Sequence, residues 1–334
     1  MIRRLLAWWL ERSFEESGRS RRQDCGVKHD ARRAFLGELI DDAGLFPPAA
    51  LSMSAALAAR ERALADDAFW TVGRFVVPGS RVDELARELD AEPRELAASV
   101  VIDAPDPLVA LAALAECAQR HAERIAVDAL ELPLARIDAS GDDDKLAALE
   151  RALSTAPFPE RPELYLELSW GEDIVAQVTA IHRARARGFD AFAKVRCGGA
   201  TAAAVPSPEA LVHFIWSANR LEVPFKATAG LHHPVRHSDA TLGTTIHGFL
   251  NVIGGAVLAH ARGLDGRMLE RLLSDTNPEH FQLDENSFSW LGVGADASEI
   301  GAARARFVRS YGSCSLAEPV ADLRGLAMLP AGVA

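Results

Sequence analysis

From about residue 31 the chain alternates short β-prone runs with longer helical stretches, and this rhythm leaves few architectures open. A strand followed each time by a helix builds a parallel β/α unit, because the helix carries the chain back across the sheet. Runs at 34–40, 73–77, 99–103, 125–132, 164–169, 191–196, 224–229 and 248–253 read as strands. Eight such units within 334 residues suit an α/β fold of the closed (β/α)8 TIM-like barrel kind. An open, doubly wound sheet uses the same alternation, but no G-x-G-x-x-G follows the first strand, which weakens a dinucleotide-binding reading.

The helices between these runs carry their own signals. In residues 172–187, Ile174, Val178 and Ile181 share one face, and arginines gather towards the end, where the helix dipole favours cations. Ser207-Pro208 sets a capping hydroxyl before a first-turn proline, and Asp296 with Glu299 forms a capping box. Asp142-Asp143-Asp144 marks a solvated helix start. Outside the repeat, Phe281-Gln282-Leu283 and Phe288-Ser289-Trp290 flank Asp284-Glu285-Asn286 and predict a hairpin. The expected plan is a mobile N-terminal extension at 1–30 and a single barrel domain at 31–334. That domain includes a C-terminal hairpin and helix extension at 276–334.

A formal charge of −11 and a pI near 5.4 argue against general affinity for nucleic acid or anionic membranes, since no broad basic surface would release counterions. A small anionic metabolite remains a fitting partner, because local arginines and lysines decide that. Residues 5–10 are apolar, but the run is too short to span a bilayer and Glu11 interrupts it. Cys25, Cys117, Cys197 and Cys314 form no C-x-x-C pair, so neither a zinc ribbon nor a disulfide framework is indicated, and a reducing cytoplasm is the expected compartment. Assembly into a homo-oligomer is left open.

Chemistry is signalled by charge inside apolar strands. Phe192-Ala193-Lys194-Val195-Arg196 and Pro224-Phe225-Lys226-Ala227-Thr228 each enclose a lysine and then break into glycine, at Gly198-Gly199 and at Gly230. Strand alternation puts Lys194 on one face with Arg196, and Lys226 on one face with Thr228. Burial and a neighbouring cation both disfavour the ammonium form, which makes a lysine nucleophilic near neutral pH. In a parallel barrel the strand ends and following loops form the reactive mouth. Asp41 and Asp42 in the first such loop, Glu167 on the fifth strand, and Asn251 complete a polar set. In the catalytic reading Lys194 or Lys226 attacks a carbonyl, Glu167 is the acid/base, and Arg196, with Thr228 and Asp42, binds a substrate anion. In the structural reading Glu167, Lys194 and Lys226 are an ion network that fills the barrel.

The run Ala193-Lys194-Val195-Arg196-Cys197-Gly198-Gly199-Ala200-Thr201, taken with Phe225-Lys226-Ala227-Thr228-Ala229-Gly230, resembles the strand-six and strand-seven lysines of deoxyribose-phosphate aldolase and related Schiff-base barrels. The resemblance implies Lys194 as the imine-forming residue and Lys226 as its electrostatic partner. Val195-Arg196-Cys197 stands where that family has small hydroxylated residues. Asp41-Asp42-Ala43-Gly44-Leu45-Phe46-Pro47-Pro48 and Gly230-Leu231-His232-His233-Pro234-Val235-Arg236 resemble an uncharacterised bacterial barrel family, which implies no activity.

After strand seven, His232, His233, Arg236, His237, Asp239 and His247 crowd one long segment. Adjacent histidines point apart and no H-E-x-x-H is present, so His232 is expected as a general acid and His233 and Arg236 as substrate ligands, with no metal and no cofactor. Gly254-Gly255 could open a helix towards an anion or serve a close helix contact, and Gly312-Ser313-Cys314-Ser315 reads as a turn or cap. The leading expectation is a lyase of the aldolase type using a lysine imine on a small anionic carbonyl compound. Imine-free isomerase or hydrolase chemistry through Glu167 and a loop histidine is the alternative, as is a non-catalytic barrel that binds an anionic metabolite.

Overall fold

At Asp30 the side chain accepts a hydrogen bond from the Arg32 backbone N–H at 2.9 Å and starts a helix, α1 (Ala31–Leu36), that buries Ala31, Phe35 and Leu36. The strand expected at 34–40 is therefore mostly helix, and the first strand, β1, is Ile40–Asp42. Ala31 and Phe35 lie four apart on one buried face, a helical spacing that the short run Phe35–Ile40 obscured. The structure is a computed structural model that describes residues 30–89 and 95–332. Apart from Asp30, the extension expected at 1–30 lies outside the described residues.

Alternation then proceeds as expected through α2 (Met53–Ala65), β2 (Val72–Pro78), α3 (Val82–Glu88), β3 (Leu96–Val101), α4 (Pro107–Arg120), β4 (Ile125–Pro133), α5 (Asp142–Thr155), β5 (Glu163–Glu167), α6 (Ile174–Ala186), β6 (Ala191–Arg196), α7 (Pro208–Arg220) and β7 (Phe225–Thr228). The expected caps form: Ser207 Oγ accepts from the Ala210 N–H at 3.1 Å. After β7 the rhythm breaks. The hairpin β8 (His237–Asp239) and β9 (Thr244–Ile246) leads into a π-helical turn, Leu250–Gly254, then α8 (Gly255–Arg262) and α9 (Gly266–Ser274). An antiparallel sheet of β10 (Phe281–Leu283), β11 (Ser287–Trp290) and β12 (Val293–Asp296) follows, then α10 (Ala297–Arg306), β13 (Val308–Ser313) and α11 (Ala317–Gly325). The predicted hairpin is β10–β11, and the capping box of Asp296 and Glu299 opens α10.

The barrel is closed and parallel, in the order β1-β13-β7-β6-β5-β4-β3-β2. The fold is thus a (β/α)8 barrel, but its eighth strand is β13, with Tyr311 paired to Ile40 on one side and to Ala227 on the other. Residues 248–253, expected as that strand, form no strand, and from Phe249 onward they are helical. Phe249, Leu250, Val252, Ile253 and their neighbours are buried on every side, so no apolar stripe distinguished helix from strand there. Gly254 lies against the Phe288 ring and Gly255 against Leu272, where side chains on the glycines would collide, so this pair serves close packing.

The main core lies between the strands and the surrounding helices. There Phe214 of α7 meets Phe225 edge-on at 5.0 Å, and Phe225 meets Phe307 at 5.2 Å. Inside the barrel a small separate cluster of Ala129, Tyr165 and Phe192 is apolar, and charged side chains occupy the space around it. The loops leaving β6 and β7 touch backbone to backbone: a Cβ on either Gly198 or Gly230 would lie 3.0 Å from the other's Cα. Gly230 also has φ +72°, a left-handed conformation that glycine adopts without penalty.

Candidate active site

Parallel register aligns Glu167, Lys194 and Lys226 as direct neighbours on β5, β6 and β7. Lys226 Nζ lies 2.6 Å from Asp41 Oδ2 and 2.6 Å from Glu131 Oε1. Lys194 Nζ lies 2.8 Å from Glu131 Oε2 and 2.9 Å from Glu167 Oε2. Glu131 therefore gives one carboxylate oxygen to each lysine. Two hydroxyls complete the shell: Ser99 Oγ donates to Glu131 Oε1 at 2.6 Å, and Ser310 Oγ donates to Asp41 Oδ2 at 2.7 Å. The Arg74 backbone N–H takes Asp41 Oδ1 at 3.0 Å, and the Tyr165 ring centroid lies 5.3 Å from Lys226 Nζ.

Charges buried this deeply persist only when paired, since desolvation costs several kcal/mol per ion. Burial opposes ionisation of Glu131, yet Lys194 and Lys226 outweigh it and hold the carboxyl well below its usual range. Burial likewise opposes the Lys226 ammonium, and Asp41 and Glu131 overturn that, raising its pKa. This corrects the expectation of a lysine poised by burial beside a second cation: at Lys226 two carboxylates win. Asp41, Glu131 and Glu167 face Lys194 and Lys226, three formal negative charges against two positive.

Below this layer, near the strand starts, Glu163 receives Arg74 at 2.8 Å, Arg309 at 2.7 Å and the Tyr165 hydroxyl at 2.9 Å. That end is filled by paired charge. Across these register partners exposure rises from 1% for the Lys226 side chain to 7% for Lys194 and 18% for Glu167. Lys194 is thus the more accessible of the two lysines. Arg196 and Thr228 end their strands one inward position further on; Arg196 is exposed, its carbonyl accepting from Trp170 Nε1 at 2.7 Å, and Thr228 faces Gly312 of β13.

Several expected site residues stand elsewhere. Asp42 follows Asp41 on β1, so it faces away from the barrel interior, where its Oδ2 lies 3.8 Å from Arg60 of α2, and burial raises its pKa. Asn251 is consumed by packing: its Oδ1 accepts from the Arg236 N–H at 2.8 Å, and its Nδ2 donates to the Leu272 and Asp275 carbonyls. Arg236 Nη1 donates to His247 Nδ1 at 2.9 Å while His247 Nε2 donates to the Pro206 carbonyl at 2.7 Å, which fixes the neutral Nε2–H tautomer. His232 lies beside Glu318 at 3.5 Å and Cys314 at 3.7 Å, and His233 pairs with Asp322 at 2.6 Å. His232 and His233 thus turn to separate carboxylates, while the His233 ring also meets His237 edge-on at 4.5 Å. Gly312 and Ser313, read as a turn, belong to β13.

Asp41, Glu131, Ser99 and Ser310 are the members of the charged layer that were missed or left without a role. Glu131 carried the same signal as the lysines, a charge within the apolar run Ala129-Leu130-Glu131-Leu132.

What the architecture defines is a (β/α)8 barrel with a lysine–carboxylate network opening at the strand ends. No protein-family model matches the chain, and no curated protein matches it. Among solved structures, the tetrameric deoxyribose phosphate aldolase from Aeropyrum pernix is 13% identical, with 76% of this chain and 89% of that chain covered at a TM-score of 0.35, a likeness too slight to bear on chemistry. Among the described residues no helix is long and apolar enough to cross a membrane.

Proposed function

We propose that the protein is a lyase of the aldolase type that binds a small anionic carbonyl compound as an imine on Lys194. One observation carries this reading: a single buried carboxylate, Glu131, joins Lys194 to Lys226 beneath the more exposed Glu167. Lys226, held between Asp41 and Glu131, remains the fixed cation, and Lys194 is the amine that a substrate reaches first.

Lys194 passes a proton to Glu167 and adds to the substrate carbonyl. Loss of water, with that proton returned to the departing oxygen, forms the imine. Its cationic nitrogen accepts the electron pair of the adjacent carbon–carbon bond, while Glu167 takes the proton of the hydroxyl on the departing fragment. Protonation of the enamine and addition of water then release the second product and restore the amine. Arg196, exposed at the rim, offers a planar fork to the substrate anion. The imine-free alternative needs Glu167 to act with a loop histidine, but Glu167 is bound to Lys194 and His232 lies against Glu318 and Cys314.

The test is borohydride reduction in the presence of small aldehydes, ketones and keto acids, followed by peptide mass mapping. Reductive attachment to the peptide containing Lys194, absent in Lys194→Met, is expected. Attachment at Lys226 would reverse the two roles. If no compound labels either lysine and the double methionine variant keeps whatever turnover the panel reveals, the imine reading fails.

A further inference from the structure

Outside the barrel, where α3 and α4 lie side by side, Asp83, Cys117 and His121 converge. Cys117 lies in the last turn of α4 and His121 caps its end, the His121 backbone N–H donating to the Cys117 carbonyl. His121 Nε2 is 2.8 Å and Cys117 Sγ 3.4 Å from Asp83 Oδ1, and one ligand atom from each of the three lies within 4.8 Å of the others. Sequence spacing gave no hint of this, since Cys117 pairs with no other cysteine and Asp83 comes from a different β/α unit. Among the described residues this is the one group of three such side chains whose donor atoms meet.

We propose that Asp83, Cys117 and His121 form a zinc site that ties α3 to α4. A tetrahedral zinc with bonds of about 2.0 to 2.3 Å sets its sulfur, nitrogen and oxygen ligands roughly 3.3 to 3.6 Å apart; Cys117 Sγ already stands 3.4 Å from Asp83 Oδ1, and His121 Nε2, now hydrogen-bonded to that oxygen at 2.8 Å, would draw back about half an ångström to admit the ion. Thiolate, imidazole and carboxylate together suit zinc, and water fills the fourth position. Cys117 is buried and shields one side, while Asp83 is exposed and leaves the other side open to an arriving ion. Binding forms a zinc–sulfur bond and breaks the sulfur–hydrogen bond, the proton passing to solvent. Arg120 Nη2, 3.4 Å from Asp83 Oδ1, competes for the same carboxylate and swings away as the ion enters. The site is independent of the proposed lysine chemistry.

Cobalt(II) is the probe. The full-length protein, reduced and stripped of metal, is titrated with Co2+, and one equivalent is expected to give thiolate-to-cobalt charge-transfer absorption that Zn2+ then abolishes. Cys117→Ser should lose the band, while Cys25→Ser and Cys314→Ser should keep it. Asp83→Asn changes an exposed residue, so its fold is safe, and it should weaken cobalt binding roughly tenfold or more. Zinc should also raise the unfolding temperature of the parent protein, and at the same zinc concentration raise that of Asp83→Asn less. No band, a band that survives in Cys117→Ser, or unchanged affinity in Asp83→Asn would show a hydrogen-bonded trio and no metal site.

Discussion

Lys194 and Lys226 are register partners on adjacent strands, and the two oxygens of Glu131 are divided between them. One buried carboxylate is therefore the ionic partner of both lysines, so a change at Glu131 reaches both strands at once.

Glu131→Gln removes the charge that both lysines share. Unfolding free energy should fall by on the order of 3 kcal/mol, because two buried ammonium groups each lose one ionic partner. Urea denaturation checks this, and an unchanged midpoint would mean that the network contributes nothing to stability.

The lysines should separate by stability as well as by turnover. Lys226→Met strands Asp41 in the interior, leaves Glu131 with Lys194 alone, and should cost about 3 to 5 kcal/mol, whereas Lys194→Met leaves Asp41 and Glu131 both paired with Lys226 and takes a partner only from the more exposed Glu167, so it should cost clearly less. Turnover should fall to background in Lys194→Met. Circular dichroism and thermal melts of the two variants, set beside their rates, test the ordering.

Arg196→Lys should raise KM about tenfold with little change in kcat, since an ammonium cannot reproduce a two-pronged anion contact. A fall in kcat at constant KM would move Arg196 from binding to the chemical step.

His247 should make stability fall in acid. Burial, with Arg236 adding to it, holds its pKa down at about 4 in the folded chain, against about 6.5 when unfolded. Between those values the unfolded chain binds the proton and the folded chain does not, so stability present at neutral pH is lost as pH falls from about 6.5 towards 4. The integrated effect is of order 3 kcal/mol. His247→Gln keeps an amide at that site without the titration, and its urea midpoint should show a flatter slope across this range. An identical slope would rule out His247 as the source.

Gly230→Ala should destabilise by about 1 to 3 kcal/mol, because φ is +72° there and the added methyl meets the Gly198 backbone at 3.0 Å. Thermal unfolding measures it; a neutral effect would mean that the two loops move apart freely.

Much of the barrel was legible because most of its strands are apolar runs set between amphipathic helices. Lys194, Lys226 and Glu167 stood out as charges in such runs. Two kinds of position were hidden. β13 reads Val308-Arg309-Ser310-Tyr311-Gly312-Ser313, a polar sequence that resembles a turn, because its inward side chains serve a polar interior. Asp41 and Asp42 are consecutive, and a one-residue difference in strand phase decides which enters the barrel. Register, known only from the folded chain, settles that Asp41 does. Cys117 and His121 needed Asp83 beside them, a contact between units that periodicity does not encode.

The wall between β1 and β7 arrives last. Asp41 is separated from Lys226 by 185 positions and from Ser310 by 269, so the charged layer is assembled from opposite ends of the described chain. Until β13 emerges from the ribosome, β1 and β7 are open sheet edges and the interior charges stand in water. A chain cut before Val308 loses a stave of the barrel, and with it the seal that keeps Asp41 and Lys226 dry.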